Sequence, residues 1–496
     1  MEGSRPRRGA LDTIILQAKR DRKRLDSSAV GPFSLTAIGI ASVVGGGIFV
    51  TTGVAASQHA GPAVVISFVF AGIVALVTAL CYAELASMIP AAGSTYSYVY
   101  AAFGVFPAWF IGWDLLLEYL FAASAVAVGW SGYAVSALQD AGIDVPNALA
   151  NPPFGSDAGV VNLPAVFIVA ATTLLLVVGM RQSARANNVM VVLKMSILLL
   201  FVAVGVFHIH ASNLHPFLPS STGHFGEFGW SGLLQGAGVV FFAYVGFDAV
   251  STAAAEARNP QRTVPFGLMA TVVISTILYI AIGFVMTGMA PFHELGVSDP
   301  LSKALKVGGG DGLEWLTAAI DVAAIVGLAS TVLVTFYGQT RIFMRMASDG
   351  MLPPAFGRVS ERFKTPQMST ILCGVAGAAV AGLTPIETLS DLVSIGTLFA
   401  FMLVCGGVMV LRHRRPDVER AFRVPHVYLV GTLGIVFSLF LMFTLPFDTF
   451  IRLVIWLAIG LVVFFTYARS HTKERFAALE AEAAKMDAEG VQADPT

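Results

Sequence analysis

The chain has 496 residues, of which 56% are hydrophobic and only 12% charged, against about 25% charged in an ordinary soluble protein. No soluble core needs so much apolar surface, and a net charge of −1 gives no reason to expect nucleic acid as a partner. The composition indicates a membrane setting, and the apolar runs that follow make it an all-α integral membrane protein.

Residues 1–31 form a basic tail without a short apolar core ending at a small-residue cleavage site, so a removable signal peptide is not expected. Twelve apolar runs follow, near 32–57, 63–89, 103–137, 162–180, 188–207, 232–255, 264–289, 315–345, 367–384, 390–411, 426–446 and 450–468. Each is about 20 residues or longer, the length a membrane-crossing helix requires.

The first run is interrupted by Gly45, Gly46 and Gly47. Each glycine costs about 1 kcal/mol against alanine inside a helix, and a triplet frees backbone groups that hydrocarbon cannot satisfy. A broken helix explains it: one half-helix end offers N–H groups, the other C=O groups, and both face a polar solute at mid-membrane. The pattern predicts a transporter.

In the third run Asp114 and Glu118 lie four apart and share one helix face. Lys194 stands about a third of the way into the fifth run, deep for a lysine that only snorkels to the interface. The sixth run holds Gly246 and Asp248 within Phe241–Asp248, five runs after the first break. Gly246 alone could be a helix-packing glycine. Paired with the triplet, it points to an inverted repeat, 32–207 against 232–411, followed by two extra spans at 426–468 and a tail at 469–496. That tail, rich in Ala and Glu, reads as a solvated helix or disordered end. Cys81, Cys373 and Cys405 all fall in apolar runs and read as small core residues without a disulfide framework.

Orientation follows from Lys and Arg. With both termini cytoplasmic, 26 of the 30 basic residues fall inside, Lys303, Lys306 and Arg452 outside, and Lys194 within a span. The expected location is a cell membrane.

Other classes fail on their own chemistry. Gly129-Trp130-Ser131-Gly132 and Gly229-Trp230-Ser231-Gly232 resemble the nucleophile motif of intramembrane proteases, but such an enzyme needs a histidine base inside a neighbouring span. Every histidine here lies at a span end, in a loop or in the tail. His208, His210, His215 and His224 are spaced too irregularly for a metal site to be expected. A phosphate-cradling Gly-x-x-x-x-Gly-Lys motif is absent from the sequence, so an ATP-driven pump is not indicated. No enzyme activity and no cofactor are expected.

Several motifs in order carry a family resemblance: Gly39 to Val50, Tyr82 to Ser87, Ile89 to Ser94, Phe241 to Asp248, Glu256 to Arg262, and Tyr337 to Phe343 with Asp349 to Pro353 behind it. From about Leu35 to Arg423 the chain resembles the amino acid–polyamine–organocation superfamily and, within it, the cationic amino acid transporter subfamily. The resemblance implies twelve transmembrane helices, a 5+5 inverted repeat with two extra helices, and broken helices 1 and 6. Gly46 departs from the family, which more often carries Thr, Ser or Ala there. The departure removes a hydroxyl contact and is expected to enlarge the site.

An amino acid is a zwitterion, and the broken spans offer both ends it needs. Its carboxylate suits the N–H groups of Gly46, Gly47 and Ile48, beside Gly45. Its ammonium suits the carbonyls of Val43, Val44, Phe242, Ala243 and Val245. Asp114, Glu118 or Asp248 could hold a cationic side chain, or could serve structurally by accepting backbone or water hydrogen bonds. The resemblance makes Phe242 an occluding lid. It also makes Lys194 the counterpart of a sodium ion in coupled relatives, so its amine is expected near the Val43 carbonyl and a hydroxyl of Ser330 or Thr331, with its proton coupled to transport. A small residue at Ser330 leaves room for a long substrate side chain. Glu84 and Glu256 are expected to pair with arginines such as Arg258 or Arg341, as gate or structural ion pairs.

The sequence thus predicts a secondary active permease importing L-amino acids with protons, the substrates being cationic (arginine, lysine) or broadly neutral such as alanine. Polyamine transport and amino acid exchange are the alternatives, and a channel is the last, marked by flux that does not saturate. No external cysteine is available for a covalent partner, so an accessory subunit would have to bind non-covalently.

Overall fold

Backbone polar groups in hydrocarbon must be satisfied within their own segment, so apolar runs of this length fold as helices. The computed structural model describes residues 31–89, 94–154, 159–179, 184–252, 257–360, 362–363 and 365–472. Each expected apolar run carries helix, and no strand occurs among the described residues. The longer helices are α1 (Pro32–Val43), α2 (Val64–Met88), α3 (Ser94–Phe103), α4 (Val105–Asp140), α5 (Leu163–Val178), α6 (Ala184–Gly205) and α7 (Gly229–Val240). They continue with α8 (Pro260–Met289), α9 (Pro300–Gly308), α10 (Glu314–Ser348), α11 (Gln367–Leu383), α12 (Ile386–Arg414), α13 (Val427–Thr444) and α14 (Phe447–Val463).

Nine helical segments among the described residues are long and apolar enough to cross a membrane, and α1, α5 and α11 are shorter apolar helices. The first of the nine, Gly47–Met88, has 42 residues. At 1.5 Å per residue it would measure about 63 Å, twice the hydrocarbon thickness. The chain turns within it at Gly61, whose φ of 58° is open to glycine and strained for other residues.

The most extensive contacts run between α2 and α8 and between α4 and α10. Around the first pair pack α1 and α7; around the second pack α5 and α11. Helix α12 touches both groups through α2 and α4, and carries α13 on its other side. Helix α14 is fastened to α4 by indoles: Trp113 Nε1 donates to Trp456 O at 2.9 Å, Trp456 Nε1 to Trp113 O at 3.0 Å, and Trp109 Nε1 to Gly460 O at 2.9 Å.

At one end of α2, Glu84 is 1% exposed and accepts from Arg412 Nε at 2.9 Å and Val424 N at 2.8 Å. Arg412 Nη2 also reaches its second oxygen, and Arg420 Nε lies 3.2 Å away. Arg420 in turn caps the end of α12, donating to Leu411 O at 3.0 Å and Arg415 O at 2.8 Å. This corrects the expected pairing of Glu84 with Arg258 or Arg341. The last turn of α12 brings Arg412 and the loop after it brings Arg420 and Val424 N to this carboxylate, whereas Arg341 donates to Tyr337 Oη at 2.6 Å. Glu256 lies outside the described residues.

At the opposite end, Lys306 Nζ joins α9 to Ser136 Oγ at 3.0 Å and Asp140 Oδ1 at 2.9 Å. Ser302 Oγ donates to Asp321 Oδ1, tying α9 to α10.

Candidate functional site

Helix α1 stops at Val43. Val44 leaves helical geometry at φ −77°, ψ 87° while its N–H still bonds Ile40 O at 2.8 Å, and the chain resumes helical turns at Gly47–Thr51. The second break is sharper. Helix α7 tightens into a 3₁₀ turn at Phe241–Tyr244, Val245 is extended, and Gly246 adopts a φ of 100°. Residues other than glycine seldom adopt such an angle, and β-branched ones hardly at all, which explains glycine there. A Cβ at Gly246 would also lie 3.3 Å from the carbonyl oxygen of Ser42, so one break packs on the other.

The three glycines of the first break face three different neighbours. A Cβ on Gly45 would sit 3.1 Å from Thr331 Cγ2 of α10; one on Gly46 would sit 3.1 Å from Val126 Cγ2 of α4 and 3.4 Å from Phe242 Cε1. A Cβ on Gly47 would overlap the backbone of Ala243. The triplet is thus a point of close approach for three elements. The missing side chain at Gly46 therefore leaves no added room, contrary to expectation, because Val126 and Phe242 close on it.

Four of the five expected carbonyls have a donor in reach. Tyr279 Oη of α8 lies 3.0 Å from both Val43 O and Ala243 O; with a single proton it donates to one at a time. Phe242 O accepts from Val245 N at 3.2 Å. Lys194 Nζ of α6 donates to Val44 O at 3.2 Å and to Thr331 Oγ1 at 2.8 Å, and Thr331 Oγ1 donates onward to Gly327 O at 3.0 Å. Lys194 is 3% exposed, and among the described residues its amine meets neutral oxygens alone. Its stem lies on Gly327, where a Cβ would come 2.8 Å from Lys194 Cε.

Other expected residues take different places. Ser330 is buried beside Thr331, and the buried Phe242 ring lies over Gly46. Asp248 follows Gly246 and is within electrostatic reach of Glu118. On α4, Val126 marks the level of the first break, so Glu118 and Asp114 lie about 12 and 18 Å along the axis from it. Glu118 and Asp114 do not join the glycine cradle. Asp114 is fully buried against Gly396, and among the described residues neither of its carboxylate oxygens nor Glu118 Oε2 has a hydrogen-bond partner. Tyr279 and Val126 escaped the sequence reading. Only the need of a buried tyrosine for a partner could have singled out the first, and nothing marked the second.

Two broken membrane helices that meet beside a buried lysine define a membrane carrier for a small polar solute. The chain matches the amino acid permease family over residues 30–472 and belongs to it, a member of the amino acid–polyamine–organocation superfamily of the cationic-amino-acid-transporter-like type; it is a transporter and not an enzyme. It is 43% identical over 467 residues to the methylthioribose transporter of Bacillus subtilis (strain 168), covering 94% of this chain and 98% of the relative. It is 42% identical over 477 residues to the branched-chain amino acid permease BcaP of the same organism, covering 95% and 99%. The vacuolar cationic amino acid transporter 4 of Arabidopsis thaliana is 37% identical over 413 residues, covering 83% and 67%.

Proposed function

We propose that this protein is a secondary active permease that imports L-amino acids together with protons across a cell membrane. It would do so with twelve spans, both termini cytoplasmic, and two inverted repeats at 32–207 and 232–411. The observation that carries the reading is Lys194, whose amine joins the Val44 carbonyl at the first break to Thr331 of α10. An amine held by neutral oxygens can release its proton without breaking an ion pair, and its release loosens the tie between the break and α10. Proton movement and cradle geometry are then one event.

In this reading the substrate carboxylate sits on the first-turn N–H groups of Gly46, Gly47 and Ile48, where the half-helix dipole is positive. The ammonium takes the remaining lone pairs of the Val43, Val44, Phe242, Ala243 and Val245 carbonyls, displacing the Tyr279 proton from one of them. Phe242 closes over the ligand. Asp114 and Glu118 stand beyond the cradle and Asp248 two residues past Gly246, and these acids would meet a long cationic side chain or a departing ammonium.

A second reading is favoured by one finding, the methylthioribose transporter at 43% identity over nearly its whole length. That relative's named solute is a neutral sugar thioether, which needs no carboxylate cradle. Thermal unfolding of the purified protein with alanine, leucine, arginine and methylthioribose separates the two. Saturating ligand at about 100 times Kd stabilises by about 2.7 kcal/mol, a clear upward shift. A shift with any of the amino acids supports the proposal, and a shift with methylthioribose alone replaces it.

A further inference from the structure

We infer that Val126 sets the size of side chain the cradle accepts, by standing in the space that Gly46 leaves empty; the inference rests on the amino acid reading above. Val126, Gly129 and Tyr133 are spaced three and four apart and so share one face of α4, and all three touch the first broken span. Val126 Cγ2 lies 3.1 Å and its Cα 3.4 Å from a Cβ placed on Gly46. One turn on, the exchange is reversed: a Cβ on Gly129 would meet Val50 Cγ2 at 2.6 Å. Tyr133 Oη then donates to Phe49 O at 2.8 Å. Two glycines on opposite partners let the backbones approach, and Val126 is the α4 side chain that reaches the break.

Its surroundings make it a wall of the site. Phe242 Cε1 lies 3.4 Å from the same Gly46 position, so Gly46 is bounded by an aromatic ring on one side and a branched aliphatic on the other, 5% and 3% exposed. A ligand whose carboxylate rests on the N–H groups of residues 46 to 48 has its α-carbon, and the start of its side chain, within reach of both. Valine is stiff at χ1 and carries no polar atom, so it presents a fixed apolar boundary. A family-like hydroxyl at position 46 and a valine at 126 would compete for one volume.

The test is uptake by proteoliposomes of wild type, Val126→Ala, Val126→Ile, Gly46→Ser and the Gly46→Ser/Val126→Ala double variant, reading KM for alanine and for leucine. One methylene in an apolar pocket discriminates by about tenfold or more. Val126→Ala should improve the leucine-to-alanine ratio of kcat/KM by about that factor, and Val126→Ile should move it the other way. Gly46→Ser should raise KM for both, and the double variant should recover. If both Val126 variants fold, transport, and leave the ratio as in wild type, Val126 is only a packing residue and the inference is overturned. If wild type takes up neither amino acid, the failure belongs to the amino acid reading, and the inference falls with it.

Discussion

At the residue scale Lys194 bridges the first break and α10 through Val44 O and Thr331 Oγ1, and the proposed coupling rests on that bridge. Lys194→Ala should abolish gradient-driven uptake while keeping the ligand-induced thermal shift; retained pH-gradient-driven uptake would contradict the coupling role. Gly327 supplies a separate check, because a Cβ there comes within 2.8 Å of Lys194 Cε and 2.9 Å of its Cγ. Gly327→Ala must push the lysine stem aside, and gradient stimulation should fall although no polar group has been removed. Ser330→Met should shift selectivity toward small amino acids, read as competition by alanine against arginine. Lys194 was legible in the sequence because a charge deep in an apolar run stands out. Val126 was not, because its importance depends on which face of α4 meets Gly46, and an apolar span facing protein all round carries no periodic mark of that face.

The two breaks were legible as elements, since glycine triplets and a glycine–acid pair are costly where hydrocarbon is the only alternative. What holds them together was not. Tyr279 of α8 places one hydroxyl between Val43 O and Ala243 O, each at 3.0 Å, and a tyrosine in an apolar run does not announce its partner. Tyr279→Phe deprives two buried carbonyls of that donor. A buried group left unsatisfied costs about 1–3 kcal/mol, so the melting temperature should drop, and KM should rise because the two broken spans lose their shared clasp. Gly246→Val should be worse. It forces a β-branched residue to a φ of 100°, outside the regions such residues tolerate, and sets its Cβ against Ser42; loss of folded protein in size-exclusion chromatography is the expected result.

For the whole molecule, the sequence already indicated helices throughout, their approximate bounds and the amino acid permease family. The long-range ties it could not indicate are the ones that join distant segments, and Glu84 is the clearest. Arg412 from the end of α12 and Arg420 from the loop after it, both more than 300 positions away, converge on it, where a place near the cytoplasmic span ends had suggested Arg258 or Arg341. Removing one partner of a buried ion pair costs about 3–5 kcal/mol. Glu84→Ala leaves the Arg420 side chain, 2% exposed, without its carboxylate, so a large loss of thermal stability should appear even though the site is remote. The central claim is most directly tested by uptake of labelled alanine, leucine and arginine into proteoliposomes with and without an inward proton gradient. The account predicts saturable uptake of at least one of them, stimulated by the gradient in wild type and unresponsive to it in Lys194→Ala. Uptake that ignores the gradient in wild type, or flux that never saturates, would contradict it.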